Sequence, residues 1–253
     1  MTQDFHIEDF TEEHYRFVLN EAQQTYSFEP FWTSSEEFHT LWRHDVDLSV
    51  HRAARIAAIE AELGVTATYF FLLHSEFYNL LERRVMELAH QIVELGHWVG
   101  LHFDLAFYGA SVTHDVLEEA LTHERKLLER LLRSPVRVFS FHNPEWGNAL
   151  SLKEDVLGEM VNAYGHRISS SYRYVSDSDG YWRFHRLADV VTREKPPRLH
   201  VLTHPEWWQQ TALRPRDRVK RCVEGRMHSA LESYDERMRD MGRVNVGFDD
   251  DIA

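Results

Sequence analysis

The stretch Arg43-His44-Asp45-Val46-Asp47 closes an apolar run, Phe38-His39-Thr40-Leu41-Trp42, that reads as a short strand. Side chains two residues apart on a strand point to the same side, so Asp45 and Asp47 share a face. Two carboxylates so placed repel unless a cation lies between them or one is protonated. A divalent metal removes the conflict: one carboxylate holds the ion and the other handles protons. Asp47 and Ser49 also precede an evident helix, and Asp and Ser are common caps. Capping accounts for one acid but not for His-Asp-x-Asp as a unit, and on this stretch alone both readings stand.

Outward from the motif, strand and helix alternate. Ser49 is placed to cap a helix whose apolar stripe is Ala53, Ile56, Ile59 and Leu63, with Gly64 where a terminating glycine belongs. Residues 66–73 read as a buried strand. Leu81, Val85, Leu88, Ile92 and Leu95 then repeat at 4-3-4-3 spacing and Gly96 follows, which predicts a second helix. A strand over 97–103 comes next. Thr113 is placed to cap a third helix carrying Leu117, Leu121, Leu128 and Leu131, which Pro135 stops before a strand over 136–141. Beyond it the pattern weakens. A short helix over 153–164, strands over 167–171 and 181–184, a last strand over 198–203 and a long polar helix over 215–241 are expected, with Asp249-Asp250-Asp251 a frayed acidic tail. Ahead of the motif, 12–24 reads as helix. The alternation implies a parallel sheet with helices packed outside it. No fixed-period repeat, low-complexity block or linker interrupts residues 1–253, which are expected to form one domain.

Composition narrows the function. The 253 residues are 43% hydrophobic, enough for one sizeable core. With 28 basic and 41 acidic residues the net charge is −13, which argues against nonspecific binding to nucleic acid or to an anionic membrane. The first residues lack a basic region followed by an apolar stretch, no run is long enough to span a membrane, and Cys222 is the only cysteine. The expectation is a soluble cytoplasmic protein without intrachain disulfides.

Four polar motifs fall at predicted strand ends, where parallel α/β folds gather their chemistry. They are Asp45 and Asp47; His102 and Asp104 in Gly100-Leu101-His102-Phe103-Asp104; His142 in Ser140-Phe141-His142-Asn143-Pro144; and His204 in Leu202-Thr203-His204-Pro205-Glu206-Trp207-Trp208. A lone His there is commonly a hydrogen-bonded structural residue, and a His-Pro step is often only a turn. Four such ends on one face of a parallel sheet converge on one pocket, and carboxylate plus imidazole suits zinc or a similar divalent ion.

The succession of Arg-His-Asp-Val-Asp, Gly96-His97-Trp98-Val99-Gly100-Leu101-His102, Phe-His-Asn-Pro and Leu-Thr-His-Pro resembles the polysaccharide deacetylase superfamily (carbohydrate esterase family 4). The resemblance is to a divergent cytoplasmic branch associated with polysaccharide biosynthesis, and covers about residues 38–208. It implies a distorted (β/α) barrel of about seven parallel strands, here with added N- and C-terminal helices. It implies removal of an acetyl group from an N-acetylated sugar by one divalent metal ion, zinc by expectation. By the same resemblance Asp45 is the general base, Asp47 and His102 are metal ligands and His204 is the general acid. The chain departs from the family at Ala106, where the second ligand His would stand, and the Arg-containing third motif is absent. His142 is the favoured replacement ligand, with Asp104 as alternative ligand or outer partner. Trp146, Trp207, Trp208 and Tyr108 lie beside the motifs, placed either to stack on a sugar or to pack the barrel mouth. The implied substrate is a small or oligomeric N-acetylated saccharide. Two other readings remain: a degenerate barrel that binds a saccharide without catalysis, and a barrel metallophosphoesterase, which would need two or three metals.

Overall fold

In the computed structural model, residues 5–35, 38–109 and 112–248 are described; the acidic triplet 249–251 lies outside them. After helix α1 (Glu12–Gln23) come strands β1 (Ser27–Phe28) and β2 (His39–Val46), helix α2 (Val50–Glu62), β3 (Thr68–Leu72), α3 (Arg83–Glu94), β4 (Trp98–Phe103), α4 (His114–Leu132) and β5 (Val136–Phe141). Then follow β6 (Val156–Leu157), β7 (Met160–Asn162), α5 (His166–Ser171), β8 (Arg173–Ser176), α6 (Leu187–Asp189), β9 (Arg198–Thr203) and α7 (Pro215–Asp240). The sheet runs β6-β7-β5-β4-β3-β2-β9-β8, with β1 beside the start of β2. From β7 to β8 its seven strands are mutually parallel, and only β6 runs antiparallel. The sheet is a curled half barrel, and among the described residues no pairing closes β6 on β8. This is the distorted α/β barrel expected from the sequence.

Every residue of β2 is buried, as in a parallel strand covered on both faces. Leu41 belongs to the small cluster inside the barrel, with Phe31, Phe70, Val138, Ala163 and Ile168. Trp42 and Val46 belong to the larger core shared with the outer helices. Odd positions of the strand therefore point in, and even positions point out. His44 accordingly leaves the chemistry to its neighbours. Its Nε2 sits 2.7 Å from Glu60 of α2, whose carboxylate also accepts the hydroxyls of Tyr15 and Tyr69, each at 2.6 Å. His97 is likewise structural: Nδ1 accepts from Ala67 N at 3.2 Å while Nε2–H donates to Ala57 O at 3.0 Å.

Local signals behave as their chemistry requires. Ser49 Oγ accepts from Arg52 N at 3.2 Å, and Gly64 and Gly96 take φ of +71° and +90°. Thr113 makes no side-chain cap bond. The α3 helix starts later than the leucine spacing predicts, because Asn79 Oδ1 accepts Leu81 N at 2.9 Å in a local turn. The helix expected over 153–164 is a hairpin. Gly158 and Glu159 both take positive φ, 54° and 61°, as a two-residue loop joining β6 to β7 demands. Residues 166–171 are helical, and the strand lies just after them as β8. No strand forms over 181–184, where Trp182 is instead fixed by donating to Asp9 at 2.9 Å. Among the described residues no helix is long and apolar enough to cross a membrane.

Candidate metal centre

Sheet register brings the strand ends together. Asp47 follows β2, His102 is the penultimate residue of β4, and His142 and His204 follow β5 and β9. His102 Nε2 lies 3.2 Å from Asp47 Oδ1, His142 Nδ1 lies 3.6 Å from the same oxygen, and the two nitrogens are 3.3 Å apart. A divalent ion bonded at about 2.1 Å in tetrahedral geometry would separate its ligand atoms by about 3.4 Å, so this triangle fits one. Asp47 Oδ1 is buried and has no hydrogen-bond partner among the described residues, which is the condition of a ligand atom. Burial alone would raise the Asp47 carboxyl, but the imidazoles of His102, His142 and His204 outweigh it and hold it well below the usual carboxylate range. Burial opposes charge on His142 too, and the facing Asp47 raises its pKa nonetheless. This is the one three-residue ligand group among the described residues.

His102 is oriented from behind. Its Nδ1 lies 2.8 Å from Ser140 Oγ, and that hydroxyl can donate to Asp45 Oδ1 at 3.5 Å. Nε2 is thereby turned towards Asp47. Asp45 stands beside the group, its Oδ2 3.7 Å from His102 Nε2. Its other partner is Arg43, two residues earlier on the same inward face. Arg43 Nη2 donates to Asp45 Oδ2 at 3.2 Å and to the Tyr164 hydroxyl at 2.8 Å. Arg43 is fully buried. Burial disfavours its charge, and the Asp45 carboxylate more than restores it.

His204 faces the group from the opposite side, with Nε2 3.7 Å from Asp47 Oδ2. Behind it stands Asp177, a buried residue that no motif in the sequence marks. Asp177 Oδ1 lies 2.6 Å from His204 Nδ1; both carboxylate oxygens accept from His204 N at 3.1 Å, and Oδ2 accepts Trp208 Nε1–H at 3.2 Å. Burial pulls the His204 pKa down, but Asp177 and then Asp47 push it up to about 10. At neutral pH the ring carries both protons, with Nδ1–H spent on Asp177 and Nε2–H facing the cavity.

Asp104 is not part of the group. Its Oδ1 accepts from Ala106 N at 3.0 Å and caps a short turn over Leu105–Tyr108, so one carboxylate oxygen is used by its own loop. His142 therefore stands in ligand reach and Asp104 does not. The expected aromatics divide as well. A cavity of about 1020 Å³ opens over Asp45, Asp47, His102 and His204, and Trp146 and Trp207 line it. Trp208 is fully buried against Phe10 and Tyr15 and reaches the site through its bond to Asp177. Tyr108 donates to Glu124 at 2.6 Å and does not line the cavity. Exposure separates these roles, and adjacency in sequence could not.

No family model matches the chain, and neither does any curated protein. Solved structures to which the chain is similar include family 4 carbohydrate esterases. One, from Bacillus anthracis, has a TM-score of 0.44 at 14% identity, covering 90% of this chain and 87% of that one. An acetyl xylan esterase from Clostridium thermocellum, in complex with a cobalt ion, has a TM-score of 0.41 at 11% identity, covering 81% and 92%. A pseudoenzyme of the same family from Bacillus anthracis has a TM-score of 0.40 at 14% identity, covering 78% and 62%. Likeness at this level assigns neither residues nor activity.

Proposed function

We propose that the chain is a metal-dependent hydrolase that removes the acetyl group from an N-acetylated sugar in a saccharide or polysaccharide precursor. The observation that carries this reading is the triangle of Asp47, His102 and His142 flanked by a carboxylate outside it, Asp45, and an imidazolium, His204. Asp47, His102 and His142 would hold one divalent ion, zinc by its donor set, which would polarise the amide carbonyl and acidify a water. Asp45 takes a proton from the attacking water, and Arg43 and Ser140 fix the carboxylate for that task. His204 gives its Nε2 proton to the departing nitrogen, a step that amides require because a bare amide anion leaves badly. Asp177 keeps the other ring proton in place and so fixes which nitrogen is the acid. A single ligand group among the described residues does not favour the phosphoesterase reading, which needs two or three ions.

The test is acetate release from N-acetylated glucosamine oligomers by the zinc-loaded protein. Asp45→Asn and His204→Ala are each expected to lower kcat by about 10²–10⁴. Full acetate release by both Asp45→Asn and His102→Ala would overturn the mechanism. An intact protein that takes up no divalent ion would overturn the hydrolase reading and leave the saccharide-binding barrel.

A further inference from the structure

Helix α7 packs on the barrel by one side. Arg218 is fully buried, and its Nη1 donates to Gly180 O at 3.0 Å. Two turns on, Arg226 Nη1 donates to Glu82 at 2.8 Å, and Ser229 is buried where its hydroxyl accepts from Arg84 Nη1 at 3.5 Å. The side turned away from the barrel is apolar. Met227, Leu231, Tyr234, Met238 and Met241 repeat at 4-3-4-3 spacing, with Val223 one turn earlier. Met238 is half-buried, and the other five are each about half exposed. At 3.6 residues per turn, this stripe lies roughly 130° round the helix from the packed side.

Single apolar side chains on a surface are ordinary. Six of them at the spacing of a coiled-coil seam, on a helix otherwise rich in Arg, Asp and Glu, form a continuous strip. Such a strip fits a second helix with the same repeat, and α7 of another copy is one. The charges beside the seam then decide the direction. A parallel pair would set like residues against each other, Glu224 on the partner's Glu224 and Lys220 on the partner's Lys220, which is repulsive. An antiparallel pair layers Leu231 on the partner's Tyr234 and Met227 on the partner's Met238, and moves Glu224 to the partner's Met241. It also brings Asp235 beside the partner's His228. Asp235 Oδ1 accepts from Asn245 at 2.7 Å and His228 Nδ1 donates to Glu224 O at 2.8 Å, so each residue keeps its second polar atom for that contact. With a net charge of −13 and Glu224 and Asp235 beside the strip, the chain does not suit an anionic lipid surface.

We infer that two copies of this chain pair through α7, antiparallel, about a two-fold axis near residues 232–233. The seam from Val223 to Met241 is about 27 Å long, and a helix about 11 Å across offers its partner a strip roughly 15 Å wide. The pair therefore buries about 800 Å² in total, below the roughly 1,200 Å² at which stable interfaces begin. Val244 and Val246, both more than four-fifths exposed, extend the apolar surface beyond the helix end. The dimer is accordingly a weak one that forms with concentration, with Kd of about 10–100 µM. Each barrel sits behind its own helix, so pairing leaves the packed side of α7 as it is.

The experiment is sedimentation velocity of the full chain from about 1 to 500 µM, where monomer should give way to dimer. Leu231→Glu, which sets a carboxylate against the seam and near the partner's Asp235, should weaken the dimer about tenfold or more. His228→Lys, which faces the partner's Asp235 twice in the antiparallel pair, should tighten it about threefold at low salt and less at high salt. Both changes lie off the packed side, so urea melts should match the parent. If Leu231→Glu does not fold, Met227→Lys breaks the neighbouring layer and decides in its place. A chain that stays monomeric at the highest concentration overturns the inference. So does a dimer indifferent to the seam variants, which would be built on another surface. A dimer unmoved by His228→Lys overturns the antiparallel register. Monomer that binds phosphatidylcholine vesicles through the stripe, with no dimer in solution, assigns the strip to lipid and overturns the pairing.

Discussion

Asparagine at Asp177 removes the charge that keeps the second proton on His204. The fully buried carboxylate serves three N–H donors: His204 Nδ1 at 2.6 Å, His204 N at 3.1 Å and Trp208 Nε1 at 3.2 Å. An asparagine has one carbonyl oxygen for them, and its NH₂ would face a donor. A hydrogen bond to a charged group contributes about 1.5–3 kcal/mol, and one pKa unit corresponds to 1.36 kcal/mol, so the imidazolium loses about one to two units. The His204 pKa, about 10 in the parent chain, should fall to between about 8 and 9, because Asp47 still faces the ring. Stability follows the same proton. A pKa raised from 6.5 to about 10 on folding stabilises the fold fully below 6.5 and loses that contribution as pH rises through about 10. In Asp177→Asn the loss should be complete at lower pH, on top of about 1–3 kcal/mol for the mispaired amide. Long-range ¹H–¹⁵N spectra of the metal-free protein report the titration of each ring nitrogen directly, and urea melts across pH 6–10 report the linkage. A parent His204 that titrates at or below 6.5, or a value unmoved in Asp177→Asn, would refute the reasoning.

Three further outcomes follow from the same structure. His142→Ala should weaken zinc binding by more than the 10–100-fold typical of losing an outer partner, while Asp104→Ala leaves it unchanged in calorimetric titration. At Gly100 an added Cβ would lie 2.6 Å from two Phe70 ring atoms, so Gly100→Ala should cost about 1–3 kcal/mol in a urea melt. Glu60→Gln, which mismatches the buried bonds to Tyr15, Tyr69 and His44, should cost about 3 kcal/mol or more, whereas Tyr15→Phe, which leaves Glu60 its bonds to Tyr69 and His44 and unpairs the neutral donor Trp42 Nε1, should cost less.

How much was readable before folding differs between the halves of the chain. From β2 to β5 each element carries an apolar pattern, each helix is followed by a glycine or proline stop, and the structure follows these signals within a few residues. The same period that makes β2 a strand puts Arg43 and Asp45 on its inner face and points the next odd residue, Asp47, the same way. Between β5 and β9 the elements are two to six residues long, too short for a period to register. The hairpin at Gly158-Glu159 was missed because its turn depends on two positive φ values, of which only the glycine is announced by its residue type.

The candidate site divides along the same line. Asp45, Asp47, His102, His142 and His204 all follow from strand ends in the sequence, since a parallel sheet delivers every such end to one face. Which acid and imidazole meet is another matter. The proposal of His142 over Asp104 rests on His142 lying 3.6 Å from Asp47 Oδ1 while Asp104 Oδ1 accepts a backbone N–H two residues on, and the part proposed for Asp177 rests on β8 lying beside β9. Those contacts join residues up to tens of positions apart, and their energies depend on register, burial and the removal of competing water. Local periodicity encodes which face a side chain occupies. Only the packed sheet sets which partner it finds there.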